Sequence, residues 1–134
     1  MSETQATISQ WMNETFPGAD PESPRKAIRA LEEMVELCLA AGATPHEVQE
    51  ACAKAIRGAR GTHPDLQGWY ESRLTEDKVP AEAADVAIVL YGVAHIKGFD
   101  LQAEIDRKMA INRARRWKAN GDGTGYHVKN GGQS

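Results

Sequence analysis

Several features that mark particular protein classes are scarce in this sequence of 134 residues. Its two cysteines, Cys38 and Cys52, are too few for a disulfide framework and lack metal-ligand spacing, so we expect a reduced, cytoplasmic protein. No uninterrupted apolar run reaches the roughly 18 residues of a membrane span, and the N-terminus lacks a basic-then-apolar leader pattern. We therefore expect a soluble protein that does not contact membranes. The net charge of -3 does not favour binding to a nucleic acid polymer.

Familiar catalytic motifs are also missing. The sequence contains no P-loop, no Gly-x-Ser-x-Gly and no His-Glu-x-x-His. A di-iron helical bundle would need Glu-x-x-His on two helices, and no histidine in the chain has a glutamate three residues before it. These absences exclude the best-known nucleotide-binding, serine hydrolase, zinc protease and di-iron signatures.

Helical periodicity dominates the sequence and strand alternation is hard to find, which predicts an all-α fold with a single domain over residues 1–134. Residues 61–79 are predicted to be an irregular connection, and the glycine-rich tail from about residue 120 a flexible loop. Prolines, glycines and capping residues set the expected helix ends. The predicted helices are 8–16, from Ser23-Pro24 to Gly42, from Thr44-Pro45 to near Gly58 or Gly61, 81–96, and from Asp100 to about Ala119.

Two helices carry close pairs of carboxylates. Glu82 and Asp85, spaced i, i+3, fall on the same side of their helix as an apolar stripe that should be buried, where an unpartnered carboxylate is costly. Glu33 and Glu36 repeat this spacing on the second helix. Four such carboxylates could surround a hard divalent cation such as Mg²⁺ or Mn²⁺. For the glutamates of the second helix, Glu32 included, a solvated helix face is the alternative.

A basic stripe occurs on this acidic protein. It contains no acid and comprises Arg107, Lys108, Arg113, Arg115, Arg116 and Lys118. Such a stripe suits a small anionic ligand better than a polymer, although it could also be a solvated face.

Together these motifs resemble the MazG-type all-α nucleoside triphosphate pyrophosphohydrolases. The run 31–37 resembles the family's first motif, Glu-Glu-x-x-Glu, and 82–86 its second, Glu-x-x-Asp, while residues 98–117 resemble its final helix. The resemblance covers about residues 24–42 and 78–128. One departure is the separation of Glu36 from Glu82 by residues 37–81, which is longer than in compact members. The tail 121–128 resembles that of phage-type members acting on purine deoxynucleotides, among them the MazZ-type (d)GTP pyrophosphohydrolases.

The resemblance implies a helical bundle completed by oligomerisation, as a homodimer or homotetramer. It also implies hydrolysis of a nucleoside triphosphate to the monophosphate and pyrophosphate, with a purine such as that of (d)GTP as the base. Glu33, Glu36, Glu82 and Asp85 would hold Mg²⁺ or Mn²⁺, and Glu32 would orient or deprotonate water. Lys108, Asn112 and Arg115, predicted to share one face of the last helix, would hold phosphates. Trp69 and Tyr70, or Trp11, are candidates for stacking on the base, and residues 121–127 could close as a lid.

Two other functions remain open at this point. The chain could be a non-catalytic helical oligomer, such as a phage regulatory or scaffold protein, whose acids bind a structural ion. It could also be a different phosphohydrolase on the same fold, acting on dUTP, dCTP or damaged nucleotides.

Overall fold

The computed structural model describes residues 2–61 and 78–129, without the side chains of 59–61. In this part of the chain it contains five helices and one antiparallel pair of short strands, which confirms the all-α prediction. The helices are α1 (Gln5–Thr15), α2 (Arg25–Ala40), α3 (Pro45–Gly61), α4 (Val79–Lys97) and α5 (Leu101–Ala114). The strands are β1 (Trp117–Ala119) and β2 (Gly125–His127).

Capping side chains fix several helix starts where the sequence predicts them. The Thr44 hydroxyl accepts from the Glu47 backbone N–H at 3.1 Å, and the Glu47 carboxylate accepts from the Thr44 N–H at 3.0 Å. The pKa of Glu47 is lowered, mainly by this backbone hydrogen bond. Asp100 caps α5 by accepting from the Ala103 N–H at 3.0 Å. These local hydrogen bonds satisfy donors that have no partner inside a helix.

The prediction that the last helix continues to about Ala119 is wrong. Arg115 takes an extended backbone conformation, φ −81° and ψ 156°, so α5 ends at Ala114. β1 begins two residues later and pairs with β2, with Trp117 opposite His127 and Ala119 opposite Gly125. The Trp117 indole Nε1–H donates to the Asn112 carbonyl oxygen at 2.8 Å. This hydrogen bond links the start of β1 to the last turn of α5.

The predicted loop from about residue 120 is therefore partly a structured hairpin. Its turn contacts the segment before α2, where the Gly123 N–H donates to the Pro17 carbonyl oxygen at 3.1 Å. Thr124 in the turn is buried, with 5% of its surface exposed. Gly18, at φ +92°, lies against the Gly121 carbonyl so closely that no Cβ would fit. The prediction of a loop was wrong for residues 125–127.

The chain divides into two compact units, Met1–Glu32 with Val93–Ser134, and Glu33–Gly92. In the first unit Phe16, Ala94 and Met109 are buried. Trp11, Phe16 and Trp117 pack edge to face there, with ring centroids 5.4–5.8 Å apart. Among the described residues of the second unit, none is buried. The boundary between the units falls inside both α2 and α4.

Helix α4 leaves several large apolar side chains exposed. Val86, Val89 and Ile88 are 46%, 59% and 66% exposed. By length and composition α4 would be able to cross a membrane, a test that core helices of soluble proteins also pass. A helix that is apolar on all sides is normally covered on all sides, and among the described residues these side chains are not covered.

Candidate active site

The two carboxylate pairs lie where the sequence places them, at i, i+3 on α2 and on α4. Glu33 and Glu36 are exposed in the second unit, as are Glu82 and Asp85. The expectation that Glu82 and Asp85 lie on a buried stripe is not met in this structure, because Val86 and Val89 of that stripe are exposed with them. Each pair can still direct two carboxylates toward one point beside its helix.

The structure does not gather the four acids into one group. Across residues 2–61 and 78–129, no three His, Cys, Asp or Glu side chains lie close enough together to hold a metal ion. Mg²⁺, however, is commonly bound by one or two carboxylates, with substrate phosphates and water completing its oxygen ligands. Either pair offers that number and type of ligand, so the donor chemistry fits Mg²⁺ or Mn²⁺. The four-carboxylate cluster stays a prediction.

Glu32, the candidate base, is held by arginines of its own helix. Its Oε2 accepts from Arg29 at 3.2 Å, and its Oε1 lies 3.8 Å from an Arg25 nitrogen. Residues 25, 29 and 32 follow one another at spacings of four and three, so they share one helix face. In the sequence, Glu32 lies four residues before Glu36, one of the predicted metal ligands.

The predicted Lys108-Asn112-Arg115 face is interrupted. Lys108 is exposed on α5, but Arg115 lies beyond the end of the helix and is half-buried. In the part of the chain that the structure describes, neither cation forms an ion pair with an acid. Arg107 and Arg113 of the same basic stripe are already paired, with Glu104 and Glu3. The positive charges of Lys108 and Arg115 can therefore interact with an anionic ligand, but the two residues do not share one helix face.

Asn112 is the weakest member of that set. Its side-chain Oδ1 is shut off from solvent and has no hydrogen-bond partner within the described residues. Because this oxygen faces away from solvent, Asn112 is poorly placed in this conformation to contact a phosphate through it. The carbonyl oxygen of Asn112 instead anchors Trp117.

The candidate base-stacking residues fall into two groups. Trp11 packs edge to face against Phe16 and Trp117, so it serves the core of the first unit. Trp69 and Tyr70 lie outside the described residues. Trp11 therefore has a packing role, and contact of Trp69, Tyr70 or Trp11 with the base stays a prediction.

A segment of the chain resembles a phage nucleotide hydrolase. Over 53 residues it is 45% identical to the dATP/dGTP diphosphohydrolase of Salmonella phage PMBT28. The matched segment is 40% of this chain and 18% of the relative's length. No protein-family model matches the chain, and no solved structure matches it.

The similarity to a nucleotide diphosphohydrolase agrees with the nucleoside triphosphate hydrolysis that the family resemblance implies. Sequence reasoning missed, however, the arginines beside Glu32 and the Asp122 turn of the hairpin. The spacing of Arg25 and Arg29 from Glu32 was the available signal for the first. The Asp122-Gly123 pair, a common hairpin turn sequence, was the signal for the second.

Proposed function

We propose that this chain hydrolyses purine deoxynucleoside triphosphates, dATP or dGTP, to the monophosphate and pyrophosphate. The observation that carries the proposal is the 45% identity over 53 residues to the phage dATP/dGTP diphosphohydrolase. The carboxylate pairs Glu33–Glu36 and Glu82–Asp85 support it independently, because hydrolysis of phosphoanhydrides needs cations, and pairs of carboxylates bind cations.

In this mechanism Glu33, Glu36, Glu82 and Asp85 would hold Mg²⁺ or Mn²⁺, which would neutralise phosphate charge and lower the pKa of a bound water. Glu32 orients the attacking water and accepts its proton. Lys108 and Arg115 bind phosphate oxygens and stabilise the charge that develops on the leaving pyrophosphate. Trp69 or Tyr70 stacks on the purine.

The proposed active form is a homodimer or homotetramer in the cytoplasm. Support comes from the exposed apolar side chains of α2 and α4, such as Leu31 and Val89, which need a partner surface of similar character. Light scattering of the purified protein should give a mass of two or four chains. A monomer that remains folded and active would contradict this part of the proposal.

A second candidate is a non-catalytic helical oligomer with a structural ion. The exposed apolar side chains favour it equally, since they predict assembly whatever the chemistry. Pyrophosphate release from a panel of NTPs and dNTPs, with and without Mg²⁺, separates the candidates. Release from dATP or dGTP only with the metal supports the proposal. Release from dUTP, dCTP or a damaged nucleotide alone assigns a different phosphohydrolase, and no release from any substrate assigns the oligomer.

A further inference from the structure

Arg25, the first residue of α2, lies between two carboxylates. Its Nε is 3.4 Å from Oδ2 of Asp122 in the hairpin turn, and one of its terminal nitrogens is 3.8 Å from Oε1 of Glu32. All three side chains are between 37% and 49% exposed, so they are in contact with solvent but not fully surrounded by it. All three belong to the first compact unit.

Asp122 is held in place from the hairpin side. Its Oδ1 accepts hydrogen bonds from the backbone N–H of Thr124, at 3.0 Å, and from the Thr124 hydroxyl. The same hydroxyl accepts from the Asn120 side-chain amide at 3.1 Å, and Thr124 is buried. These hydrogen bonds, first among them that of the Thr124 hydroxyl, keep the pKa of Asp122 below its ordinary value. Asp122 is therefore an ionised and oriented anchor.

The Arg25 guanidinium is closer to Asp122 than to Glu32. At 3.8 Å the contact with Glu32 is an ion pair outside hydrogen-bonding distance, while the contact with Asp122 is the shorter of the two. The guanidinium is thus held toward the hairpin, and its charge acts on Glu32 without a direct hydrogen bond. Isolated exposed ion pairs contribute little to stability, but a network of charges with one fixed member restrains the side chains of the others more effectively.

We propose that Asp122, acting through Arg25, positions the carboxylate of Glu32. This inference rests on the proposed function, in which Glu32 orients the attacking water. Asp122 and Arg25 are positioning residues, since neither needs to contact the substrate. The hairpin thereby acts on the candidate base through Arg25, although no hairpin residue takes part in the reaction.

A double-mutant cycle tests the connection. Asp122→Asn removes the charge but keeps an oxygen that can accept from Thr124, and Arg25→Met removes the guanidinium but keeps the aliphatic stem. We expect Asp122→Asn to lower kcat for dGTP about three- to fivefold, the scale of one exposed ion pair, with KM unchanged. The double variant should be no slower than Arg25→Met alone. Effects that multiply, or a change confined to KM, would overturn the proposal.

A measurement without turnover makes the test independent of catalysis. The ¹³C signal of the Glu32 side-chain carboxylate should shift in Asp122→Asn, and Asp122→Asn should cause no shift when Arg25 is already Met. Glu104→Gln is the matched control, because Glu104 is about as exposed as Asp122 and its ion pair is with Arg107 of its own helix. An equal shift in Glu104→Gln would contradict the connection. If Asp122→Asn loosens the hairpin, Arg25→Met still decides the matter, because it must by itself shift the Glu32 signal and lower kcat.

Glu32→Gln separates failure of this inference from failure of the proposed function. If Glu32→Gln hydrolyses dGTP like the wild type, Glu32 is not the base, and the effect of Asp122 on the reaction is overturned with it. If Glu32→Gln is inactive while Asp122→Asn changes neither kcat nor the Glu32 signal, the positioning role alone is overturned.

Discussion

At the scale of single residues, the best-defined electrostatic contact joins the N-terminus to α5. The Arg113 guanidinium donates through two nitrogens to the two Glu3 carboxylate oxygens, both at 2.9 Å. The Glu3 backbone N–H also donates to the Asp106 carboxylate at 2.8 Å. A two-pronged Arg–carboxylate pair is among the stronger surface interactions, so it should tie α1 to α5.

Replacing Glu3 with Gln should therefore lower the melting temperature at pH 7 by a few degrees. The Arg113 hydrogen bond, followed by that of Thr7, holds the pKa of Glu3 below its ordinary value of 4.5. The stabilisation is complete above pH 4.5 and is lost as the pH falls through the folded-state pKa, so wild type and variant should converge in acid. Thermal denaturation across pH 3–7, with the exposed Glu22→Gln as control, measures this. A difference that grows toward low pH would contradict it.

The predicted metal ligands can be tested one charge at a time. Glu36→Gln and Asp85→Asn keep side-chain shape but remove an anionic oxygen, and each should reduce pyrophosphate release at saturating Mg²⁺ at least a hundredfold, the scale of losing a group that fixes the metal. Helical circular dichroism should be unchanged, because both residues are exposed. Glu50→Gln, an exposed acid of α3, is the matched control and should keep full activity. Normal turnover by either variant would remove that residue from the site.

At the scale of elements, helices were predictable because their signals are local. Thr44 with Glu47, Asp100, and Pro24 before α2 each act within four residues of the helix end, so their effect can be read from the sequence. The hairpin was not predicted because its strands have three residues each and depend on distant contacts. The Pro17 carbonyl that anchors its turn lies more than 100 residues away in the chain.

Because of those distant contacts, we expect a substitution at Gly125 to lower the stability of the protein. A Cβ placed there would lie 2.5 Å from the Phe16 ring and from the Lys118 carbonyl oxygen, so Gly125→Ala should destabilise the protein by about 1–3 kcal/mol. Gly58→Ala in α3 is the matched control. Its Cβ would meet nothing within 4 Å, and it should stabilise by about 0.5–1 kcal/mol because alanine favours helix. Urea denaturation compares the two. Equal effects would mean that the hairpin does not pack on Phe16 as the structure has it.

At the scale of the whole molecule, the predicted metal site requires that the two carboxylate pairs lie close to each other. Sequence spacing predicts that Glu33 pairs with Glu36 and Glu82 with Asp85, because that depends only on helix geometry. Whether the two pairs meet depends on how the helices pack and assemble, which the spacing within one helix does not determine. Neither periodicity nor capping carries information about a partner chain.

Binding of Mg²⁺ should stabilise the folded protein, because the carboxylates are arranged to bind it only in the folded state. At a hundred times the dissociation constant the gain is about 2.7 kcal/mol, enough to raise the melting temperature by several degrees. Titration with Mg²⁺ and Mn²⁺ under scanning calorimetry measures this gain. The Glu36→Gln/Asp85→Asn double variant is the control and should lose most of the shift. An equal rise in both proteins would place the ion elsewhere.

The central claim is the reaction itself, and product analysis of a dGTP digest tests it most directly. Chromatography after incubation with Mg²⁺, with dATP in parallel, should show dGMP and pyrophosphate accumulating in equal amounts from the first time point, without dGDP. The reason is that the proposed site combines a divalent ion with basic side chains, which together stabilise pyrophosphate as the leaving group. Accumulation of dGDP with inorganic phosphate would contradict the account, and so would recovery of both nucleotides unchanged.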